Sequence, residues 1–363
     1  MALADTRFAT RRRALAAKLA AQRIDSILVT SPIHVRYLSG FTGSNGALIV
    51  NKDLSAQICT DGRYTTQIAE EVPDIEALIE RASATALLAQ VEGPRRIAIE
   101  AAQTTLDQLD SLREATQEDV ELIPVSGVVE SIRLTKDSFE LDRLRDVAAL
   151  ASQAFEDLLA AGELAEGRSE RQVAADLEYR MRMLGAERPS FDTIVASGTH
   201  SAKPHHGAGD RILQRGDLVT IDFGAHARGF NSDMTRTLVM GEAGEFEAEI
   251  YDIVLRSQLA GVEAAYSGAN LFDVDAACRK VIEDAGYGEY FVHSTGHGIG
   301  LEVHEAPSAS KTSQGVLETG STLTIEPGIY VPGKGGVRIE DTLIITSGAP
   351  EIITKVSKDL IVV

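Results

Sequence analysis

Tryptophan is absent from the 363 residues, aromatic side chains make up only 5%, and there are just two cysteines, Cys59 and Cys278. Thiols that far apart in sequence form neither a disulfide framework nor a CxxC zinc pattern; two reduced, buried side chains are expected. No apolar run reaches the roughly 18 residues of a membrane-spanning helix. The Ala/Leu stretches behind Arg11, Arg12 and Arg13 are too short and interrupted for a signal peptide. Positive charge is scarce as well: 35 Lys and Arg face 54 Asp and Glu, a formal net charge of −19. Such a surface repels nucleic acid and anionic membrane. The expectation is a cytoplasmic protein that binds neither. The same imbalance leaves any buried cluster of carboxylates short of bases to neutralise it.

What is present reads as two α/β domains, residues 1–128 and 137–363, the length being too great for one ordinary core. In the first, residues 7–22 have helical spacing. Strands are expected at Ser26–Thr30, Gly46–Val50, Gln57–Thr60, Arg96–Glu100 and Val120–Val125, with helices between and a turn at Asn51–Asp53. The boundary falls near Val129–Lys136. Asp137 and Glu140 then form a capping box. The helix behind it carries Leu141, Leu144, Val147, Ala148, Ala151, Phe155 and Leu158 in the 3, 4, 7 rhythm. A second cap, Ser169 with Gln172, opens a helix that ends near Leu184–Gly185.

The second domain carries a weak internal duplication. Gly216–Gly224 (GDLVTIDFG) matches Gly320–Gly328 (GSTLTIEPG) in pattern, with an acid at the same place, Asp222 and Glu326. A second acid follows each, Asp233 and Glu340, and two helical segments precede each strand. The physical reading is two αα-ββ halves about a pseudo-twofold, with four acids converging on one centre. Alternation puts Val219, Ile221 and Phe223 on the face away from Asp222. Residues 337–345 read as one continuous strand bearing Glu340. Carboxylates facing one another in a buried site do not stay ionised alone; a metal pair removes that penalty.

Three histidines sit in short Gly/Pro-punctuated segments around these strands: His205 in AKPHH, His297 in STGHGIG and His304 in VHEAP. His34, His200, His206, His226 and His293 are read as ordinary satisfied or exposed rings. Four carboxylates and one imidazole make an oxygen-rich set, suited to two divalent ions, Mn²⁺ first and Co²⁺ or Zn²⁺ as alternatives. Two of the carboxylates would have to bridge ions about 3.5 Å apart.

The blocks Phe191–His206, Thr220–Thr237, His293–Pro307, Thr324–Tyr330 and Gly336–Thr342 resemble, in order, the signature of the M24 peptidases, nearest to the prolidase and aminopeptidase P group. Val35–Val50 and Thr60–Tyr64 resemble the creatinase-type N-terminal domain of bacterial Xaa–Pro peptidases. The resemblance implies a small creatinase-type domain followed by a pita-bread catalytic domain. It implies metal ligation by Asp222, Asp233, His297, Glu326 and Glu340, with Asp233 and Glu340 bridging. Catalytic or substrate-contacting roles follow for His205, His304 and Glu326, and a supporting hydrogen bond from Arg338. The substrates implied are small peptides with proline at the second position, and the assembly a homodimer. One departure is His200, where the related motif usually carries Asn. Xaa–Pro dipeptidase is favoured over aminopeptidase P. A creatinase-like or organophosphate-type activity and a non-catalytic binding module are the readings from other classes.

Overall fold

The computed structural model describes residues 6–93 and 95–363. The chain divides into two compact units, Met1–Arg133 and Leu134–Val363.

The first unit opens with the helix Thr6–Ala21. Its six-stranded mixed sheet runs, in spatial order, Glu76–Ile79, Ala56–Thr60, Ala47–Asn51, Ser26–Val29, Arg95–Glu100, Val120–Val125. The strand Glu76–Ile79 is missing from the sequence reading. It lies at the sheet edge, pairs with Ala56–Thr60 and leaves three of its four residues exposed, so it has no buried face to impose an alternation. The short helix Glu130–Arg133 occupies the expected boundary.

The second unit follows the duplication. Helices Ser138–Ala160 and Glu170–Met183 precede the strands Ile194–Ser197, Leu218–Phe223 and Met234–Val239. Helices Glu245–Ala264 and Leu271–Asp284 precede Gly296–Gly298, Thr322–Ile325 and Asp341–Ile344. Both capping boxes form: Asp137 and Ser169 each accept from the backbone three residues on, while Glu140 and Gln172 accept from the cap amides. Leu144, Val147, Ala148, Ala151, Phe155 and Leu158 are buried, as the helical rhythm requires, and Phe155 stacks on Phe223 with centroids 5.1 Å apart. Val219, Ile221 and Phe223 belong to that same core, which turns Asp222 to the opposite face.

Residues 337–345 depart from expectation. They are two strands, not one: Gly335–Arg338 pairs with Gly328–Val331, and Asp341–Ile344 pairs with Thr322–Ile325. The ladder opens between them, where Glu326 and Pro327 lie opposite Ile339 and Glu340. The Glu340 amide turns to the carbonyl of Thr235, in the first half of the duplication, and the Glu326 amide to the carbonyl of Thr295. Proline cannot donate to a ladder, so Pro327 fits the opening. Both acids thereby leave the sheet for the same cavity. Both cysteines are buried and free. Among the described residues, no helix is long and apolar enough to cross a membrane.

Candidate metal centre

Asp222, Asp233, His297, Glu326 and Glu340, together with His205 and His304, line one cleft of about 330 Å³. A cavity of equal volume in the first unit, near Asn45 and Arg81, has no carboxylate or imidazole in its wall.

Each side chain is aimed by its local backbone. Asp222 lies opposite Thr235 in the antiparallel pair Leu218–Phe223 with Met234–Val239, and Asp233 immediately precedes that second strand. The Thr235 hydroxyl donates to Glu340 Oε2 at 2.7 Å, and the Thr324 hydroxyl to Glu326 Oε1 at 3.2 Å. His297 sits between glycines that the packing demands. A Cβ at Gly296 would lie 1.7 Å from the Thr324 carbonyl oxygen, and one at Gly298 2.3 Å from that of Ala306. His297 Nδ1 lies 3.0 Å from the Gly298 carbonyl and therefore donates. That fixes the tautomer and leaves the lone pair on Nε2, 3.3 Å from Glu326 Oε1 and 3.6 Å from Asp233 Oδ2.

Arg338 is buried and donates to Asp222 Oδ2 at 2.7 Å, to the Tyr330 hydroxyl at 2.8 Å, to Thr235 Oγ1 at 3.1 Å and to the Pro204 carbonyl at 3.3 Å. It thus braces Asp222 and the residue preceding His205 together. The ring of His304 lies edge-on to that of His297, centroids 4.4 Å apart.

The electrostatics are those of a site short of positive charge. Burial, and then Glu340 and Asp222, push Asp233 well above the usual carboxylate range. Burial, and then Glu326 and Asp222, do the same to Glu340. Glu326 is pushed up to about 8 by burial, against the pull of Arg338. Burial lowers His297, and burial with the neighbouring His297 and His205 lowers His304, so both rings are neutral near pH 7. Among the described residues, no hydrogen-bond donor reaches the buried Asp222 Oδ1 or Glu340 Oε1. A buried acceptor left unpaired costs about 1–3 kcal/mol, and two of them facing one cavity mark where cations belong. Asp233, His297 and Glu340 also bring ligand atoms within 4.8 Å of one another. The donor set fits divalent metal.

Sequence reasoning missed Thr235, the hydroxyl shared by Glu340 and Arg338, and Tyr330, the partner of Arg338. Thr235 stands two residues after Asp233, at the start of the strand that the acid leads into, and that spacing was the available signal. It also missed a second cluster: His200 and His206 both meet the buried Glu170, at 3.0 and 2.8 Å. Of the other histidines, His34 pairs with Glu100, His226 with Asn231 and His293 with Tyr330, satisfied rings as expected.

A duplicated αα-ββ scaffold with buried acceptors turned into one cleft is a pita-bread fold built around a cation-binding centre. The chain belongs to metallopeptidase family M24, whose model matches residues 142–347; the model of the creatinase/prolidase N-terminal domain matches residues 11–135. It is 38% identical to the Xaa-Pro dipeptidase of Pyrococcus furiosus over 339 residues, 93% of this chain and 95% of that one. A solved Xaa-Pro dipeptidase from Bacillus anthracis superposes with a TM-score of 0.94 at 42% identity, covering 98% of this chain and 100% of the other. An X-Pro aminopeptidase from Thermotoga maritima superposes with a TM-score of 0.87 at 33% identity, covering 97% and 99%.

Proposed function

We propose that the chain is a cytoplasmic Xaa–Pro dipeptidase, active as a homodimer. In this reading Asp222, Asp233, His297, Glu326 and Glu340 hold two Mn²⁺ ions, with Asp233 and Glu340 bridging, within a catalytic domain spanning residues 137–363 behind an N-terminal domain of residues 1–128. The observation that carries it is the pair of buried, donor-free carboxylate oxygens beside His205 and His304 in one cleft. The likeness to Xaa-Pro dipeptidases over nearly the whole chain supports the substrate class, and an oxygen-rich donor set favours Mn²⁺.

When bound, the ions supply Lewis-acid chemistry that makes water nucleophilic near neutral pH. Glu326 takes the water's proton on Oε2, its Oε1 being held by Thr324, and passes it to the leaving proline nitrogen. His304, neutral and presented beside His297, donates an N–H to the carbonyl oxygen as charge develops there. His205 orients the proline end of the substrate, its loop anchored through the Pro204 carbonyl by Arg338. Arg338 holds Asp222 in its ligating pose.

Turnover of Ala-Pro against Ala-Pro-Ala with Mn²⁺ added tests the reading. Cleavage of Ala-Pro in preference is expected. Preference for Ala-Pro-Ala would make the chain an aminopeptidase P, the reading that the Thermotoga maritima neighbour favours. Cleavage of neither would remove the Xaa–Pro assignment.

A further inference from the structure

Glu170 is the first residue of the helix Glu170–Met183 and is completely buried. Its carboxylate is held rigidly. Oε1 accepts from the Ser197 amide at 2.8 Å and the Ser197 hydroxyl at 2.7 Å, and Oε2 from the Gly209 amide at 3.2 Å. Two imidazoles converge on what remains of it. His200 Nδ1 lies 3.0 Å from Oε1 and 3.3 Å from Oε2, and His206 Nε2 lies 2.8 Å from Oε2. The rings are inclined at 40° with centroids 4.3 Å apart. One ligand atom from each of the three residues falls within 4.8 Å of the others. Zinc bonds of about 2.0–2.1 Å place tetrahedral ligand atoms roughly 3.3 Å apart, so an ion fits among these three with small side-chain adjustments.

The chemistry of the set differs from that of the carboxylate cleft. Two imidazoles and one carboxylate, with a fourth position open, suit zinc rather than the harder Mn²⁺. The carboxylate is already oriented by backbone amides, as ligating carboxylates usually are. Nearby positive charge does not oppose an ion, because Arg211, which donates to Ser197 Oγ, is neutralised by Asp217 at 2.5 and 2.9 Å. Access is open: the His200 side chain is 29% exposed and that of His206 12%, while Glu170 lies beneath them at 0%.

We propose that Glu170, His200 and His206 form a third metal site, selective for zinc, separate from the five-residue centre. Because His206 also lines the cleft next to His205, an ion there ties the loop carrying His205 to the start of the helix at Glu170. The proposal is independent of which peptide bond the protein cuts.

Equilibrium dialysis of the full-length, chelator-stripped protein against Zn²⁺, with metal per chain read by elemental analysis, tests it. Wild type should bind three zinc ions per chain, and two ions when Mn²⁺ alone is supplied. The double variant His200→Gln/His206→Gln should bind two zinc ions. The double variant Asp233→Ala/Glu340→Ala, which empties the carboxylate cleft, should still bind one. Circular dichroism confirms that each variant is folded. No zinc on the folded Asp233→Ala/Glu340→Ala variant would overturn the site. So would three ions retained after both histidines are replaced.

Discussion

Glu170 and Glu340 are both buried glutamates of the same unit, yet burial leaves their protons in opposite states. Burial would raise Glu170, but hydrogen bonds from His206, Ser197 and Gly209 outweigh it and hold the carboxyl below its ordinary value. Glu340 has one donor, Thr235, an oxygen with none, and two further carboxylates raising it. The difference is one of local company. Donors make a buried carboxylate a stable anion; like charges make it an acid awaiting a cation. The first arrangement is complete without an ion, and the site proposed there would turn the same ring nitrogens toward one. The second is complete only with ions.

The largest effect should come from breaking the incomplete cluster. Glu340→Gln removes the entire negative charge of the ligand proposed to be shared by two ions. It should lower kcat/KM for Ala-Pro well beyond the roughly 10–100-fold typical of groups that merely support ligands, and reduce bound Mn²⁺ to at most one per chain. Near-normal turnover with two bound ions would dismiss Glu340 as a bridging ligand. Next in size is His304→Ala. Loss of a donor to developing charge costs about 10²–10³ in kcat with KM little changed, and metal content should stay at two. A variant with wild-type kcat would take His304 out of the reaction.

In the metal-stripped protein the comparison should change sign. At pH 8, Glu340→Gln removes the cost of keeping a proton on a buried carboxyl crowded by other carboxylates, and should raise the melting temperature. Glu170→Gln turns an NH₂ toward donors that expected an acceptor, and should lower stability by about 1–3 kcal/mol. Thermal unfolding of the two stripped variants side by side decides it; shifts in the same direction would erase the distinction.

The smallest effect is the pH slope. Asp233, Glu326 and Glu340 are raised in the folded state, so the metal-free protein binds more protons folded than unfolded. Their contribution is full only below about pH 4 and is lost as pH rises, for Glu326 through about 8. The melting temperature of metal-free protein should therefore climb as pH falls from 8.5 to 5.5, a climb that saturating Mn²⁺ abolishes. Glu170 contributes in the reverse sense, losing its share only as pH falls below the ordinary carboxylate range. A flat metal-free profile would show that the carboxylates are solvated rather than desolvated.

Much of this was legible in the residues, for a physical reason in each case. Helix starts could be read at Asp137 and Ser169 because a capping box is local, closed within four residues. The side of the strand that Asp222 faces could be read because Val219, Ile221 and Phe223 alternate with it into a core. The edge strand Glu76–Ile79 could not, since an exposed strand carries no alternation. Nor could the break at Ile339–Glu340: Ile339 and Glu340 read as strand residues, and only Thr235, over a hundred positions earlier, draws Glu340 out of the ladder.

The sequence by itself determined the fold class and the duplication, and marked four acids and three Gly- and Pro-flanked histidines as candidates for one centre. All of these are written in periodicities and spacings within segments, or in the likeness of one segment's pattern to another's. Tertiary structure alone decided which carboxylates are satisfied and which are not. Glu170 depends on Ser197, His200, His206 and Gly209, and Arg338 meets Asp222 across 116 positions. Protonation of a buried group is set by the donors and charges that folding brings around it, and no local pattern records those.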